Sequence, residues 1–239
     1  MPDPSAAPID DRSPAAYTVI ARDVEHEIEI KRSRFRCVLR RAPDEAAARA
    51  VVAQVRAEHR LARHHCSAFL VGPHREVQRS SDDGEPSGTA GVPMLDAMRL
   101  HSYPGPGGAD QADLSDVVAV VVRWFGGVLL GAGGLVRAYS EVVSQSLDAA
   151  GARRRERMRI LGVDAPHADA GRWENELRAA GVGVLEAEYG ANVVLRLAVP
   201  DLEAERSAVA ARVAAVTAGS AVPRALGTTW VDGPVVPKP

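Results

Sequence analysis

The sequence predicts an α+β protein built from two domains. Residues 24–30 alternate apolar and polar side chains with a period of two, which is typical of a half-buried strand. Residues 117–122 form a continuous apolar run, which indicates a strand covered on both faces. Beyond residue 157 the periodicities follow the order β-α-β-β-α-β. Because that order is typical of a ferredoxin-like domain, we expect a separate domain there.

The first domain is expected to combine strands with three helices. Pro43 and the acids that follow it favour a helix start. In chain order the expected elements are a strand at 24–30, a basic turn or strand edge at 31–34, a strand through 35–39, a helix from 43 to about 58, a strand at 65–71, a polar loop at 78–91, a short helix at 93–100, a Pro/Gly loop at 103–109, the apolar strand at 117–122, and an amphipathic helix ending near 150.

The boundaries follow from composition. Four prolines within residues 1–14 indicate a disordered leader, and the arginine-rich stretch at 151–157 reads as a linker. We therefore expect a leader at 1–15, a first domain at 16–151, a ferredoxin-like domain at 157–232 and a disordered tail at 233–239. Within the second domain the expected strands lie at about 158–165, 183–189, 192–199 and 224–231, and the helices at 168–180 and 201–217.

Composition limits the classes of function. The chain has 239 residues and a formal net charge of −2, so any affinity for phosphate must come from a local patch. Two cysteines exclude a disulfide framework and a zinc site built from cysteines. The start of the chain lacks a signal-peptide pattern, and no apolar run approaches a membrane span. We expect a cytoplasmic protein without membrane partner, metal or cofactor.

The most informative segment is the junction at residues 123–139, where the apolar strand runs into glycines that open a helix. Backbone N–H groups at such a helix start form a place for an anion. The pattern fits neither the dinucleotide fingerprint, because Val136 stands where a third glycine belongs, nor a P-loop. Two alternatives remain open: the glycines permit close packing of helix on sheet, or the acidic loop at 82–85 docks on this helix end.

Basic residues elsewhere are expected to flank this junction. The run at 31–34 could hold phosphates or could be a solvated strand edge. His64 and His65 are adjacent in a strand, so their side chains point to opposite faces and at most one faces a site. The candidate anion or nucleic-acid site comprises Lys31, Arg34, His65, Arg123, Gly126, Gly127, Gly133, Gly134 and Arg137.

The acidic loop supplies a second candidate site. Its carboxylates and hydroxyls could bind a divalent ion or perform acid–base chemistry, although the spacing fits no EF-hand. The alternative is a tightly turned, solvated loop. The candidate residues are Asp82, Asp83, Glu85 and Thr89.

Four segments together resemble the IMPACT/YigZ family: KRSRF at 31–35, ARHHC at 62–66, SDDGEPSGTAG at 81–91 and VVRWFGGVLLGAGGLVRAY at 121–139. The resemblance implies a first domain similar to domain two of a small-subunit ribosomal protein, an α/β sandwich, and a second domain similar to domain five of elongation factor G. It also implies a translation-related role. An insertion at 104–116 departs from the family pattern and lengthens one loop.

These observations lead to one functional expectation and two rivals. We expect a translation-associated regulatory protein that binds RNA or a ribosomal surface through the anion site. The first rival is a phosphate-handling or metal-dependent hydrolase that uses Asp82, Asp83 and Glu85 with a histidine. The second is a protein-binding module without a small ligand. Whether the protein catalyses any reaction is left open by the sequence.

Overall fold

The computed structural model describes residues 14–105 and 109–236. The chain divides into two compact units. The first unit is built mainly from Ala16–Arg155 and the second mainly from Glu156–Val231.

The first unit contains one large antiparallel sheet with helices on both faces. Its strand order is β2-β3-β8-β4-β5. Its elements are β1 (Ala16–Ile20), β2 (Val24–Ile30), β3 (Ser33–Arg41), α1 (Glu45–Glu58), β4 (His64–Val71), β5 (Val77–Ser81), α2 (Gly91–Leu100), β6 (Tyr103–Pro104), β7 (Asp110–Gln111), β8 (Val117–Trp124) and α3 (Ala132–Ala150).

The central strand β8 explains why its sequence is apolar throughout. Val117, Ala119 and Val121 belong to the core beneath α2 and α3. The alternate residues Val118, Val120 and Val122 belong to a second core beneath α1. Successive side chains of a strand point to opposite faces, so a strand packed on both sides needs apolar residues at every position. The predicted doubly covered strand is therefore confirmed.

The second unit has the predicted order β-α-β-β-α-β. Its elements are β9 (Ala152–Ala165), α4 (His167–Ala179), β10 (Gly183–Tyr189), β11 (Val193–Pro200), α5 (Glu203–Val216) and β12 (Arg224–Val236). Strand β9 pairs with both β11 and β12, and β10 pairs with β11. Trp173 and Leu177 of α4 and Val213 of α5 fill its core. The named similarities to ferredoxin-like and translation-factor domains stay predictions.

Four expectations about irregular segments are wrong. The Pro/Gly loop expected at 103–109 begins with strand β6, and its residues 106–108 lie outside the described residues. The polar loop expected from residue 78 begins with strand β5, because an edge strand pairs through its backbone and needs few apolar side chains. The expected linker at 151–157 is the start of β9. Part of the expected disordered tail is strand, because β12 continues to Val236. Residues 1–13 of the expected leader and 237–239 of the tail lie outside the described residues.

Candidate nucleic-acid interface

The glycine junction forms an open helix start. Strand β8 ends at Trp124 and α3 begins at Ala132, with Gly131 as its N-cap at φ 74°. That φ lies in the left-handed region, which favours glycine. No side chain caps the helix, and its first turn contains no acid. The first amide groups of α3 therefore lack a side-chain acceptor and can meet an anion from outside.

Arg123 lies beneath this junction rather than on its surface. Its Nη1 donates to Glu85 Oε1 at 2.6 Å, and the two side chains are only 7% and 3% exposed. The Tyr139 hydroxyl donates to the same oxygen at 2.8 Å. Burial first, and then the neighbouring thiol of Cys66 and carboxylate of Glu85, raise the pKa of Tyr139 far above its usual value, so the hydroxyl remains a donor. The expectation that Arg123 faces a phosphate is corrected: its charge is neutralised inside the unit.

The acidic loop therefore does reach the helix α3, but away from the helix start. Glu85 contacts Tyr139, which lies in the body of α3, and not the amides that follow Gly131. The expectation of internal docking is right about which segments meet. It is wrong about the place, because the acidic loop does not contact the open amides at the start of α3.

The turn between β2 and β3 presents two strained cations. Ile30 pairs with Ser33, so the connection consists of Lys31 and Arg32 alone. Their φ angles are 48° and 65°. A two-residue hairpin with both φ values positive normally contains Asn or Gly, because longer side chains are disfavoured in the left-handed region. Both side chains are exposed, and neither has a hydrogen bond or ion pair within residues 14–105 and 109–236.

Gly126 joins this turn to the glycine junction. A Cβ at Gly126 would lie 2.0 Å from the carbonyl carbon and oxygen of Arg32 and 2.5 Å from the Ser33 nitrogen. The Gly126 N–H donates to Ser33 Oγ at 3.2 Å. Gly126 therefore permits close packing, but of the loop after β8 on the β2–β3 turn and not of a helix on the sheet. It brings the basic turn and the glycine junction into direct contact.

The other glycines of the junction do not all serve packing. A Cβ at Gly134 would lie 3.0 Å from the Leu130 Cβ, which is a tight contact. At Gly127, Gly131 and Gly133 an added Cβ would meet no atom within 4 Å. The backbone at those three positions is consequently open to an approaching ligand.

We call the resulting region the cationic surface. Arg137 is exposed on α3 and has no ion pair in the described part of the chain. The Arg34 guanidinium lies 4.6 Å above the Trp124 ring, and its Nη1 is 3.6 Å from a Glu27 oxygen. The cationic surface comprises Lys31, Arg32, Arg34, Gly126, Gly127, Gly131, Gly133, Gly134 and Arg137.

His65 does not flank this surface. Its side chain is buried, its Nε2 lies 3.0 Å from the His59 carbonyl oxygen and its Nδ1 lies 3.5 Å from Asp83 Oδ2. Its backbone N–H donates to the same Asp83 oxygen at 2.7 Å. The expectation for His65 is therefore corrected, because the protein itself occupies both ring nitrogens.

The acidic loop is held by its own hydrogen bonds. Asp82 accepts from the N–H groups of Gly88, Ala90 and Gly91 at 2.8–3.0 Å, at the start of α2. Burial opposes ionisation of Asp82, but the three N–H groups outweigh it and lower its pKa. Thr89 Oγ1 donates to the Pro86 carbonyl at 2.6 Å.

Asp83 ties the same loop to two other elements. Its carboxylate accepts from Arg56 of α1 and from the backbone of β4, each at 2.7 Å. With Glu85 on Arg123, all three acids of the candidate loop site bind the protein itself. The described ranges contain no group of three or more His, Cys, Asp or Glu side chains placed to hold a metal ion. The geometry thus matches the tightly turned loop rather than a reactive site.

Cys66 is part of the same buried network. Its Sγ lies 2.9 Å from the Asp82 carbonyl oxygen and 3.3 Å from the Tyr139 hydroxyl. Burial raises the pKa of its thiol to about 12, so the thiol remains protonated at neutral pH and is a poor nucleophile.

Arg32, Gly131 and Phe125 lie in this region but were not among the candidate residues that the sequence predicted. Arg32 carries as much free charge as Lys31, and the signal for it was the two-residue spacing between strands β2 and β3. Phe125 is half-exposed beside the glycines. No sequence signal distinguished it from a core residue, because it directly follows an apolar strand.

Comparisons with known proteins place this geometry in a family. A family model described as the Impact N-terminal domain matches residues 31–147, and the Domain of unknown function (DUF1949) matches residues 163–220. The IMPACT family member YvyE of Bacillus subtilis is 40% identical over 188 residues, which cover 79% of this chain and 82% of that protein. The chain belongs to the IMPACT family. The IMPACT family member YigZ of Escherichia coli is 40% identical over 174 residues, or 72% of this chain and 80% of that protein.

A solved structure is also similar to this chain. The crystal structure of a hypothetical protein is 34% identical, has a TM-score of 0.59, and matches over 89% of this chain and 98% of that one. The Impact N-terminal match includes the basic turn, the acidic loop and the glycine junction.

No helix in residues 14–105 and 109–236 combines the length and the apolar content needed to cross a membrane.

Proposed function

We propose that this IMPACT family protein is a translation-associated regulator that binds RNA, free or on a ribosomal surface, through the cationic surface. One observation carries the proposal. Lys31 and Arg32 are held in left-handed conformations at the tip of a two-residue turn, exposed and without an acidic partner in the described parts of the chain. Backbone strain of this kind is concentrated at functional sites.

The chemistry of the surface fits a phosphate backbone. Lysine, arginine and helix N-termini are the groups that contact phosphate oxygens in nucleic-acid complexes. Gly126 packs the turn against the junction, so free cations and open amides lie on adjoining backbone. Several weak phosphate contacts on one surface add to a useful affinity, whereas a single exposed cation does not.

The charge distribution supports local rather than general binding. The net charge of the chain is −2. Residues 117–140 nevertheless contain two arginines and no acid. One of them, Arg123, is neutralised by Glu85, which leaves Arg137 as the free charge of this segment. The surface therefore depends on Arg137 together with the basic turn, and removing these cations should remove the binding.

A charge reversal tests this proposal. The double variant Lys31→Glu with Arg137→Glu should bind ribosomes and RNA at least about tenfold more weakly in co-sedimentation and anisotropy assays, because two phosphate contacts become repulsive. The slope of log affinity against log salt concentration should become less steep by about two, which is about one for each lost phosphate contact.

The matched control carries a similar change of charge elsewhere. Arg99 of α2 and Arg212 of α5 are exposed, and Arg99→Glu with Arg212→Glu should bind like the unmodified chain. Equal weakening by both double variants would mean that only net charge matters. Unchanged binding by the Lys31 and Arg137 variant would refute the proposed site.

Since every acid of the loop at 82–85 binds the protein itself, no observation favours the hydrolase.

A further inference from the structure

We propose that the cationic surface binds single-stranded RNA, with an unpaired base stacked on the Phe125 ring. This inference rests on the proposed function and adds to it the class of RNA and the residue that selects it. Phe125 was not needed for the phosphate argument, because it carries no charge.

Phe125 is an unusual aromatic residue in this chain. Among the described aromatic side chains only Phe125 and Tyr189 are exposed, at 48% and 72%. Exposing a phenyl ring forgoes the stabilisation that burial would provide, and exposed apolar side chains grouped together mark binding sites. Val128 and Leu129 of the same loop are also exposed, at 40% and 83%. The loop that Gly126 joins to the basic turn therefore presents apolar area to solvent.

The Phe125 ring lies beside the buried Arg123 guanidinium and is half-exposed to solvent. The Arg123 guanidinium carbon lies 5.8 Å from the Phe125 ring centroid. The next residue, Gly126, touches the backbone of Arg32. A base stacked on the exposed part of the ring would thus lie next to the residue that joins the loop to the basic turn. Stacking on an aromatic side chain beside a positively charged track is the common mode of single-strand binding.

Charge decides between RNA and a protein as the occupant. Lys31, Arg32 and Arg137 are exposed cations, and none of them has an ion pair among residues 14–105 and 109–236. A single RNA strand alternates apolar base faces with a phosphate at every step, so it matches apolar and cationic groups that lie side by side. A duplex does not, because its bases are already stacked and proteins read it through its backbone and 2′-hydroxyls.

The test compares two RNAs and three variants of the full chain. The probes are a fluorescent single strand of CA repeats, about 12 nucleotides long to fill a typical single-strand site, and the same strand annealed to its complement. Phe125→Ala should bind the single strand about tenfold more weakly, because one stacked base is lost. Its binding to the duplex and the salt dependence of both should stay unchanged, because no cation is removed.

Two variants serve as controls. Phe125→Tyr keeps the ring and should bind within about twofold of the unmodified chain, since stacking requires only the aromatic face. Tyr189→Ala removes the exposed ring of the second unit and should bind normally. Circular dichroism should be the same for all variants.

The outcomes separate this inference from the proposed function. If Phe125→Ala binds the single strand normally, or loses affinity equally for both RNAs, the stacking inference is overturned. The proposed phosphate binding would then still be supported by the charge-reversal result. If the unmodified chain binds neither RNA, the inference is overturned, and if it also fails to co-sediment with ribosomes, the proposed function fails as well. A preference of the unmodified chain for the duplex would also overturn the inference.

Discussion

Glu85→Ala should destabilise the first unit by about 3–5 kcal/mol, because it leaves a buried arginine without its counter-ion. The Arg123 side chain is 7% exposed and receives its charge compensation from Glu85 at 2.6 Å. The same change removes the acceptor of the Tyr139 hydroxyl. Hydrogen exchange of the β8 amides, which reports the stability of this unit alone, should show the loss.

A double-mutant cycle separates the interaction energy of the Glu85–Arg123 pair from the effect of removing either side chain alone. Arg123→Met in the Glu85→Ala background should recover much of the lost stability, since an apolar side chain needs no partner. Glu29→Ala, which removes an exposed carboxylate of β2, should change the stability by less than about 0.5 kcal/mol. Equal stability of Glu85→Ala and Glu29→Ala would contradict the structural role given to the acidic loop.

Gly126→Ala should cost about 2–4 kcal/mol and weaken RNA binding together with stability. Its Cβ would lie 2.0 Å from two backbone atoms of Arg32, which cannot rotate away as a side chain would. The loop must therefore separate from the basic turn. The same hydrogen-exchange and anisotropy measurements should detect both effects.

Neighbouring glycines give matched controls for this substitution. Gly133→Ala meets open space at an ordinary helical φ, so it should be neutral or stabilise by up to about 1 kcal/mol. Gly127→Ala also meets open space, but its φ of 86° should cost about 1 kcal/mol. If Gly126→Ala is no more destabilising than Gly127→Ala, the contact between the turn and the junction is not as described.

Most of the fold was predictable because its periodicities are clear. The alternation of β2, the apolar run of β8 and the β-α-β-β-α-β order each follow from which side chains must be buried. The errors fall where pairing does not depend on apolar side chains. Strand β5 is polar and at a sheet edge, and the start of β9 is a row of arginines that includes Arg157, whose Nε lies 3.1 Å from an Asp201 oxygen.

The candidate site was less predictable because long-range pairing decides which charges are free. Arg123 and Arg137 look alike in the sequence, and only the position of Glu85, thirty-eight residues before Arg123, shows that one is neutralised. The same holds for His65, which Asp83 and His59 engage. Local signals identified the glycine junction correctly as an open helix start. They could not reveal that Gly126 brings the basic turn beside it.

The most direct test of the cationic surface follows its backbone amides by NMR during titration with the single-stranded RNA. Gly127 and Gly133 should shift and saturate with the affinity seen by anisotropy, because their backbone is open and belongs to the junction that Gly126 joins to the basic turn. Gly171 and Gly219 of the second unit are equally uncrowded and should not move. Shifts confined to Gly171 and Gly219, or no shifts at Gly127 and Gly133 when RNA is bound, would contradict the account.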